Sequence, residues 1–476
     1  MTISLSDKAR ARCSWFPDLA AYDGPRYKAL ADALADAIHK GELQADQRLP
    51  PQRLLADALG VTTGTVTRAY GEAERRGLVE ARVGSGTYVH LARAGDKPDF
   101  YHLTVDQPDD SIDLSLSLMV PNPARLESLH QAMQKMAADP RQLAAALAYQ
   151  SERGQPQQLQ VFVDWLDRHG VQVSSEQMMV TDGGQHGIFI SLQALLAPGE
   201  LLVSDALTYP GVIAAARQLH LRHLGIPLDE EGMDTQALER LCQQQRPRAV
   251  YLMPDQNNPT GRVMSQARRI HLAELARRYD FWIIEDAVQF LPPAYRHQRL
   301  AELAPERTLY LFSTSKILAG GLRVGLIVAP PLVLPRLMAA LRAHCWMAPP
   351  LMVALTCAWI ESGEADQLLQ WQWQEVQERQ QLLAEIFQGQ RYSCHPTGFV
   401  VWLELPEGWR VGEFVRAAAD AGVRLLGAEP FCVGNQSVPQ AVRLCVSPPK
   451  ERAVLQEGLL RLKRLLESPP QGRAVF

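Results

Sequence analysis

The sequence predicts two folded domains: a small helical domain that ends in a β-hairpin, and a larger α/β domain built on a mainly parallel sheet. Three observations support this prediction. The 476 residues exceed the usual length of one domain. Residues 22–91 carry short amphipathic helical segments, whereas from residue 112 to 476 short apolar runs alternate with helical stretches. Six of these runs are predicted as strands of the parallel sheet: MMVTDG, ELLVSD, AVYLMPD, FWIIEDA, TLYLFST and VGLIVAP. Between the two regions, residues 92–111 are polar and contain two prolines, which predicts a linker.

Composition limits the class of protein. Hydrophobic residues make up 47% of the chain and charged residues 21%, which predicts packed cores. The net charge of -4 gives no indication of a nucleic-acid partner, so any DNA-binding role must depend on a local segment. The seven cysteines are scattered, which predicts neither a disulfide framework nor a metal site and favours a reducing cytoplasm. No signal peptide or membrane span is expected.

The small domain begins with an apolar helix face formed by Leu30, Leu34 and Ile38, and Gly41 is expected to end that helix. Pro50 and Pro51 open a second helix. A third helix has core-facing positions at the spacing i, i+3, i+4 and i+7, namely Val66, Ala69, Tyr70 and Ala73. The segments LVEARV and TYVHL then predict two strands joined by a glycine-containing turn.

The third helix leaves Thr63, Thr65 and Arg68 on its solvent-facing side. Two short helices joined by a tight turn, of which the second has a polar amino-terminal face, are typical of a unit that inserts into the DNA major groove. The alternative is a winged helix used only for protein contacts, because residues 24–91 carry nine basic and eight acidic side chains. Local placement of charge therefore decides whether this domain binds DNA.

This domain resembles the winged helix-turn-helix of the GntR family. The resemblance depends on Leu49-Pro50, Gln52-Arg53, Leu55-Ala56, Gly60-Val61, Thr65-Val66, Ala69-Tyr70, Gly77-Leu78 and Gly84-Ser85-Gly86-Thr87. It implies that double-stranded DNA is a partner, that Arg53 and Arg68 hold phosphates or bases, and that Gly86 brings the wing backbone close to the minor groove. Gly64 departs from the family, whose members often carry arginine at this position.

In the larger domain, the segment TLYLFSTSKILAGGLRVG carries the strongest chemical pattern. An apolar strand ends at Ser313, Lys316 follows three residues later, and Arg323 lies seven residues beyond it. Pyridoxal 5'-phosphate requires an amine that bonds to its aldehyde and a rigid set of donors for its phosphate. Lys316 can supply the amine, while Ser313, Ser315 and Arg323 can bind the phosphate.

Three earlier segments complete this predicted cofactor site. Asp286 ends the apolar strand FWIIEDA, thirty residues before Lys316, where its carboxylate can pair with the pyridine nitrogen. Asn258, within PDQNNPTG, can hydrogen-bond the ring hydroxyl. The segment VTDGGQHG follows a strand with a glycine pair that opens a helix, and backbone N–H groups at such a terminus can bind phosphate.

Together these segments resemble the fold-type I aminotransferases, and with the small domain they resemble the MocR group of regulators. The resemblance implies a PLP-dependent aminotransferase-like domain with a large part near residues 145–345 and a smaller α+β part near residues 350–476. It also implies a homodimer. By the same resemblance, Gly184 and Gln185 line the phosphate, Tyr209 stacks on the ring, Tyr149 reaches a phosphate across the dimer interface, and Arg443 binds a substrate carboxylate.

Three functional hypotheses follow. In the first, the chain is a transcription regulator whose larger domain, called the body below, senses pyridoxal phosphate, an amine or an amino acid. In the second, it is an active aminotransferase with an accessory DNA-binding domain. In the third, the chain is a scaffold whose small domain contacts proteins. The family usually has a tyrosine one or two residues after the ring-pairing aspartate, and EDAVQF lacks it, which favours the regulator. Considered singly, Arg443 could form a salt bridge and Tyr209 could serve packing.

Overall fold

A computed structural model describes residues 13–22, 24–39, 42–44, 46–75, 78–82, 85–89, 111–434 and 438–468. The chain forms two compact units, of which the first spans Met1–Val105 with Asn435–Val438 and the second contains the remainder. Residues 92–110 of the predicted linker and the predicted helix stop at Gly41 lie outside the described residues.

In its described residues, the amino-terminal unit contains three α-helices and a hairpin, as predicted. The helices are α1 (Arg26–His39), α2 (Gln52–Leu59) and α3 (Thr63–Arg75), and the antiparallel strands are β1 (Val79–Arg82) and β2 (Gly86–Val89). The four predicted core positions of α3 are at most 4% exposed. They pack against Leu30 and Leu34 of α1 and Leu55 of α2, so one small core holds the helices and the hairpin together.

The tight turn between α2 and α3 follows from three local interactions. Gly60 adopts the left-handed conformation (φ 66°) and its N–H closes α2 on Ala56. Thr62 accepts a hydrogen bond from the Thr65 N–H at 3.2 Å and thereby caps α3. The buried Tyr70 hydroxyl donates to the Pro50 carbonyl at 2.7 Å, which ties α3 to the start of α2.

The second unit is built on a seven-stranded sheet flanked by helices. The strands of the whole second unit are β3 (Ile112–Asp113), β4 (Met178–Thr181), β5 (Leu201–Asp205), β6 (Arg222–Ile226), β7 (Leu228–Asp229), β8 (Gly232–Met233), β9 (Ala249–Leu252), β10 (Trp282–Asp286), β11 (Thr308–Ser313), β12 (Gly325–Val328), β13 (Tyr392–Cys394), β14 (Val400–Glu404), β15 (Val423–Arg424), β16 (Leu426–Gly427) and β17 (Ala441–Cys445). The large sheet has the order β4-β12-β11-β10-β9-β5-β6.

All strands of the large sheet are parallel except β12, which is antiparallel to both of its neighbours. The mainly parallel sheet is therefore confirmed, although the run VGLIVAP was predicted as one more parallel strand. The reason lies in the connection, because residues 314–324 contain only two 3-10 turns, Thr314–Lys316 and Gly320–Leu322. A parallel return requires a longer crossover, usually through a helix.

The helices of this unit pack mainly on the two faces of the large sheet or against a second, smaller sheet. They are α4 (Pro123–Ala137), α5 (Pro140–Leu147), α6 (Pro156–Arg168), α7 (Gly184–Leu195), α8 (Pro210–Gln218), α9 (Thr235–Gln244), α10 (Gln266–Tyr279), α11 (Leu300–Leu303), α12 (Leu334–Cys345), α13 (Pro350–Glu361), α14 (Glu364–Ile386), α15 (Val411–Asp420) and α16 (Arg452–Glu467). Leu309 and Leu311 of β11 pack with α7, whereas Tyr310 and Phe312 pack with α6. Burial on both faces explains the continuous hydrophobicity of these strands.

A second, four-stranded antiparallel sheet has the order β13-β14-β17-β16. Its core includes residues from α14, α15 and α16 together with Ile112, Leu114 and Val120, so the start of the second unit packs with its end. The short strand β3 pairs with β15, where Ile112 faces Val423. In contrast, α13 buries Val353 against the large sheet's core.

The neighbouring helices α12 and α13 are the ones whose composition bears on a membrane span. No single helix among the described residues is long and apolar enough to span a membrane. These two helices reach the required length and composition only as a pair, and the chain bends by 119° between them.

Candidate functional site

Most of the predicted site residues of the body lie at or shortly after the ends of strands of the large sheet. Thr181 ends β4, Asp286 ends β10 and Ser313 ends β11. Parallel strands bring their carboxyl ends to one edge of a sheet, which is where open α/β proteins bind ligands. The loops that follow these strands carry most of the other predicted residues.

Two glycines and an arginine form a cradle at the start of α7. Gly183 has φ 81° and ψ 171°, and Gly184 begins the helix. A Cβ atom on Gly183 would lie 2.5 Å from Nη2 of Arg323, and one on Gly184 would lie 3.2 Å from the Ser313 Cβ. Arg323 itself has a positive φ of 53° and donates to the Asp182 carbonyl at 3.1 Å. This arrangement joins a helix amino terminus to a guanidinium, which favours an anion.

Hydroxyl and amide groups complete this anion site. Ser313 accepts a hydrogen bond from the Ser315 N–H at 3.2 Å, and the two hydroxyls are 3.0 Å apart. Gln185 donates through Nε2 to the Gly211 carbonyl at 3.0 Å. Its Oε1 is buried and has no hydrogen-bond partner in the described part of the chain. An unpaired buried acceptor is costly, so it is consistent with a group that a ligand satisfies.

We expect Gly183→Ala to weaken phosphate binding. The added Cβ would displace the Arg323 guanidinium, and the backbone conformation at position 183 is one that only glycine adopts readily. Loss of one charge-assisted contact predicts an increase in the dissociation constant for pyridoxal 5'-phosphate of about tenfold or more, measurable by equilibrium dialysis. Gly199→Ala is the control, because Gly199 also has a positive φ but no atom within 4 Å of its Cβ position. Equal weakening by both variants would contradict the prediction.

Lys316 lies in the 3-10 turn that follows β11. Its Nζ donates to the Ser117 carbonyl, and its own carbonyl accepts from Gln372 Nε2 at 2.6 Å. Desolvation by the surrounding protein lowers the pKa of the Lys316 ammonium to about 8, while Asp286 partly opposes this effect. A lysine with such a pKa is neutral often enough near neutral pH to act as a nucleophile.

Asp286 is buried and accepts two hydrogen bonds. Its Oδ1 accepts from the Val288 N–H at 3.1 Å, and its Oδ2 accepts from the Tyr251 hydroxyl at 2.6 Å. Burial raises the pKa of Asp286, and these two donors together with the Lys316 charge act in the opposite direction. The carboxylate is therefore held in place by the protein and is close enough to Lys316 for the two charges to interact.

Asn258 and Arg443 contact each other. Arg443 on β17 is fully buried, and its Nη1 donates to the Asn258 Oδ1 at 3.1 Å. Its Nη2 donates to the Ser115 carbonyl, and its guanidinium carbon lies 4.9 Å from the centre of the Phe431 ring. No carboxylate of the described residues pairs with this guanidinium, and its Nε has no hydrogen-bond partner there. A buried, unneutralised arginine can bind an anionic ligand group.

The two predicted tyrosines differ in their positions. Tyr209 precedes α8, and a Cβ atom on Gly211 would lie only 2.2 Å from its Cε1 and 2.0 Å from the Gln185 Oε1. Tyr209 and Gln185 therefore meet at Gly211, beside the anion site. Tyr149 is 83% exposed, and its ring lies 6.1 Å from that of Trp346. This chain by itself does not bring Tyr149 to the other predicted residues.

The donor set fits pyridoxal phosphate. The glycine cradle, the two serine hydroxyls and Arg323 suit a phosphate, the partly desolvated Lys316 suits an aldehyde, and the buried Asp286 carboxylate suits a protonated pyridine. The unpaired Gln185 Oε1 beside this cradle is the observation of this chain that supports the fit. Among the residues that the structure describes, no group of three or more His, Cys, Asp and Glu side chains could hold a metal ion.

In the amino-terminal unit, two of the three predicted DNA-contacting side chains of α3, Thr65 and Arg68, border an open cleft. The cleft has a volume of about 350 Å³ and is lined by Arg26, Tyr27, Thr62, Gly64, Thr65 and Arg68. Thr63, Arg53 and Arg68 are exposed, and Thr65 is half-buried. Gly86 of the hairpin has φ 119°, and a Cβ there would lie 2.9 Å from the Arg48 Nε, so the Arg48 side chain packs against this turn.

Sequence reasoning missed three contributors. Arg26 begins α1 and faces the α3 cleft, for which the only signal is an arginine directly after Gly24-Pro25 at a helix start. Tyr251 was noted only as part of an apolar strand, although strand alternation could have placed it on the same sheet face as Asp286. The Ser117 carbonyl reaches Lys316 from 199 residues away, and no local pattern indicates this contact.

Comparison with known proteins matches both units. The model of the bacterial regulatory proteins of the gntR family matches residues 26–89, and the model of aminotransferase class I and II matches residues 119–462. The uncharacterized HTH-type transcriptional regulator YdeF of Bacillus subtilis strain 168 is 32% identical, over 95% of this chain and 97% of that protein. The probable rhizopine catabolism regulatory protein MocR of Rhizobium meliloti is 26% identical, over 65% of this chain and 66% of that protein.

Among solved structures, the α-aminoadipate aminotransferase LysN of Thermus thermophilus, in complex with N-(5'-phosphopyridoxyl)-L-leucine, is 27% identical with a TM-score of 0.67. The match covers 75% of this chain and 92% of that chain. The chain therefore belongs to the GntR-type transcriptional regulators in which a winged helix-turn-helix precedes a domain of the aminotransferase class I and II family.

Proposed function

We propose that this regulator binds double-stranded DNA through its amino-terminal unit and holds pyridoxal 5'-phosphate in its body, where an amino acid acts as effector. The observation that carries the proposal is the convergence of Lys316, Asp286 and the Gly183–Arg323 cradle at one edge of the large sheet. These groups supply an amine, a ring-pairing carboxylate and a phosphate site, each with a matching chemical role.

Each side chain has a defined task in this proposal. The α7 amino terminus, Ser313, Ser315 and Arg323 bind the phosphate and orient the ligand. Lys316 provides a neutral amine, and Asp286 holds a proton at the ring nitrogen. When bound, the cofactor would supply an electrophilic carbon that reacts with amines.

The buried Arg443 favours an amino acid over a simple amine as the effector. Its guanidinium is satisfied by two neutral oxygens, from Ser115 and Asn258, rather than by a carboxylate. A ligand carboxylate would replace these with charge-assisted, bidentate bonds, which are stronger. Because the segment that carries Ser115 would have to yield its contact, binding of an amino acid couples to the conformation of residues 114–117.

The pKa of Lys316 predicts how cofactor attachment depends on pH. Only the neutral amine attacks an aldehyde, and with a pKa of about 8 the neutral fraction rises roughly tenfold from pH 7 to pH 9 and then levels off. We expect the rate of attachment, followed by stopped-flow absorbance, to show this plateau. A lysine with an ordinary pKa would give a rate that keeps rising above pH 9, which would contradict the assignment.

The proposal is tested by DNA binding and visible absorption measured on the same preparation. The holo-protein is mixed with DNA from the region upstream of its own gene, at several salt concentrations, with and without amino acids and carboxylate-free amines. We expect a visible cofactor band, salt-sensitive and sequence-selective DNA binding, and a change of DNA affinity with certain amino acids only. Absence of sequence-selective DNA binding would contradict the proposed role as a DNA-binding regulator. Multiple-turnover conversion of an amino acid and a keto acid would instead support an active aminotransferase.

A further inference from the structure

We propose that Tyr251 is a positioning residue for the cofactor: its hydroxyl orients and stabilises the Asp286 carboxylate as the ionised partner of the pyridine nitrogen. This inference rests on the proposed cofactor site. The family usually has a tyrosine one or two residues after the ring-pairing aspartate, but here residues 287–289 are Ala, Val and Gln and offer no phenol. The phenol that the structure places here comes from a neighbouring strand and contacts the carboxylate.

The backbone of the large sheet fixes this contact. In the parallel pair of β9 and β10, Tyr251 lies opposite Ile284, and Asp286 follows Ile284 on the same face of the sheet. The Tyr251 hydroxyl donates to the Asp286 Oδ2 at 2.6 Å. Tyr251 is 0% exposed and Asp286 is 6% exposed, so water does not compete effectively for either group.

Tyr251 can act only as a donor toward this carboxylate. Burial and the adjacent Asp286 both raise the pKa of Tyr251, so the phenol keeps its proton. Asp205 and Tyr209 are the other titratable groups that influence Tyr251, and Lys316 is the one that influences Asp286. A short hydrogen bond from a permanent donor favours the charged form of this carboxylate and so opposes the rise in its pKa that burial causes.

The consequence concerns where one proton lies. If Asp286 is a weaker base, the proton shared with the pyridine nitrogen stays on the ring; if Asp286 is a stronger base, the proton moves to the carboxyl group. The Tyr251 hydrogen bond makes Asp286 a weaker base, since it stabilises the carboxylate more than the carboxylic acid. Tyr251 therefore sets the protonation of the ring without facing a substrate itself.

Tyr251→Phe tests this inference in the full-length holo-protein, loaded with pyridoxal phosphate labelled with ¹⁵N in the ring. Wild type is expected to give a ring-nitrogen resonance in the pyridinium range. The variant is expected to shift it toward neutral pyridine and to weaken cofactor binding by about 10- to 100-fold, because one hydrogen bond to a charged group is lost. An unchanged resonance in a loaded Tyr251→Phe protein would overturn the inference.

Tyr310→Phe is the matched control, because Tyr310 is 1% exposed and lies on the adjacent strand β11. It pairs with Glu285, so its ring lies on the opposite face of the sheet from Asp286. We expect its ring-nitrogen resonance to equal that of wild type, and an equal shift in both variants would assign the effect to packing and overturn the inference. Failure of wild type to bind the cofactor at all would overturn the proposed function instead, which keeps the two claims separable.

Discussion

Lys316→Ala is expected to abolish covalent attachment of pyridoxal phosphate and with it the visible absorption band of the protein. The variant removes the amine that is predicted to bond to the aldehyde, while the Gly183–Arg323 cradle still binds the phosphate. Borohydride treatment of wild type followed by peptide mass analysis is expected to place the reduced cofactor on Lys316 alone. In the alanine variant the same treatment should leave the protein unlabelled, although the free cofactor still binds weakly and reversibly.

Lys316→Arg provides the control for charge and size. An arginine keeps a cation in the same turn but remains protonated at all working pH values, so it cannot form the bond. We expect this variant to behave like Lys316→Ala in the labelling experiment and to fold as stably as wild type or nearly so. Recovery of the label on Lys135, Lys450 or Lys463 instead of Lys316 in wild type would show that the cofactor attaches outside the predicted site.

The double change Arg53→Ala and Arg68→Ala is expected to have the largest effect on DNA binding. Both side chains are exposed, on α2 and on the open side of α3, and no acidic side chain of the described residues pairs with either of them. Each good contact to a base or phosphate contributes roughly 1–3 kcal/mol, so affinity should fall about 100-fold or more. For every phosphate contact removed, the slope of log affinity against log salt should become shallower by about 1, as measured by fluorescence anisotropy.

Lys28→Ala serves as the control for this experiment because it removes the same kind of charge from the same domain. Lys28 is exposed on α1 two residues after Arg26, which places it on the other side of that helix from the α3 cleft. We expect its effect on affinity and on the salt slope to be small. Comparable losses in the control and in the double variant would indicate a diffuse charge effect and would contradict a defined recognition surface.

Much of the fold could be predicted because burial leaves a periodic trace in the sequence. The positions of α3 that repeat at helical spacing are the ones that the domain buries, and six apolar runs correspond to strands β4, β5, β9, β10, β11 and β12. The strand β6 was not predicted, because it lies at the sheet edge and its sequence RHLGI is only partly buried. The other edge strand, β4, is buried along its whole length and keeps the continuous hydrophobicity that identifies a strand, so partial burial rather than edge position alone concealed β6.

Sequence by itself determined the chemical types at the site: an amine at Lys316 after a strand, a carboxylate at Asp286 after another, and a glycine pair before a helix. Those features are local, because each is carried by a few consecutive residues. Tertiary structure alone decided which groups meet, such as Tyr251 with Asp286, and Arg443 with the carbonyl of Ser115, 328 residues away. Contacts of that kind arise from strand register and from packing between distant segments, and neither leaves a periodic signal along the chain.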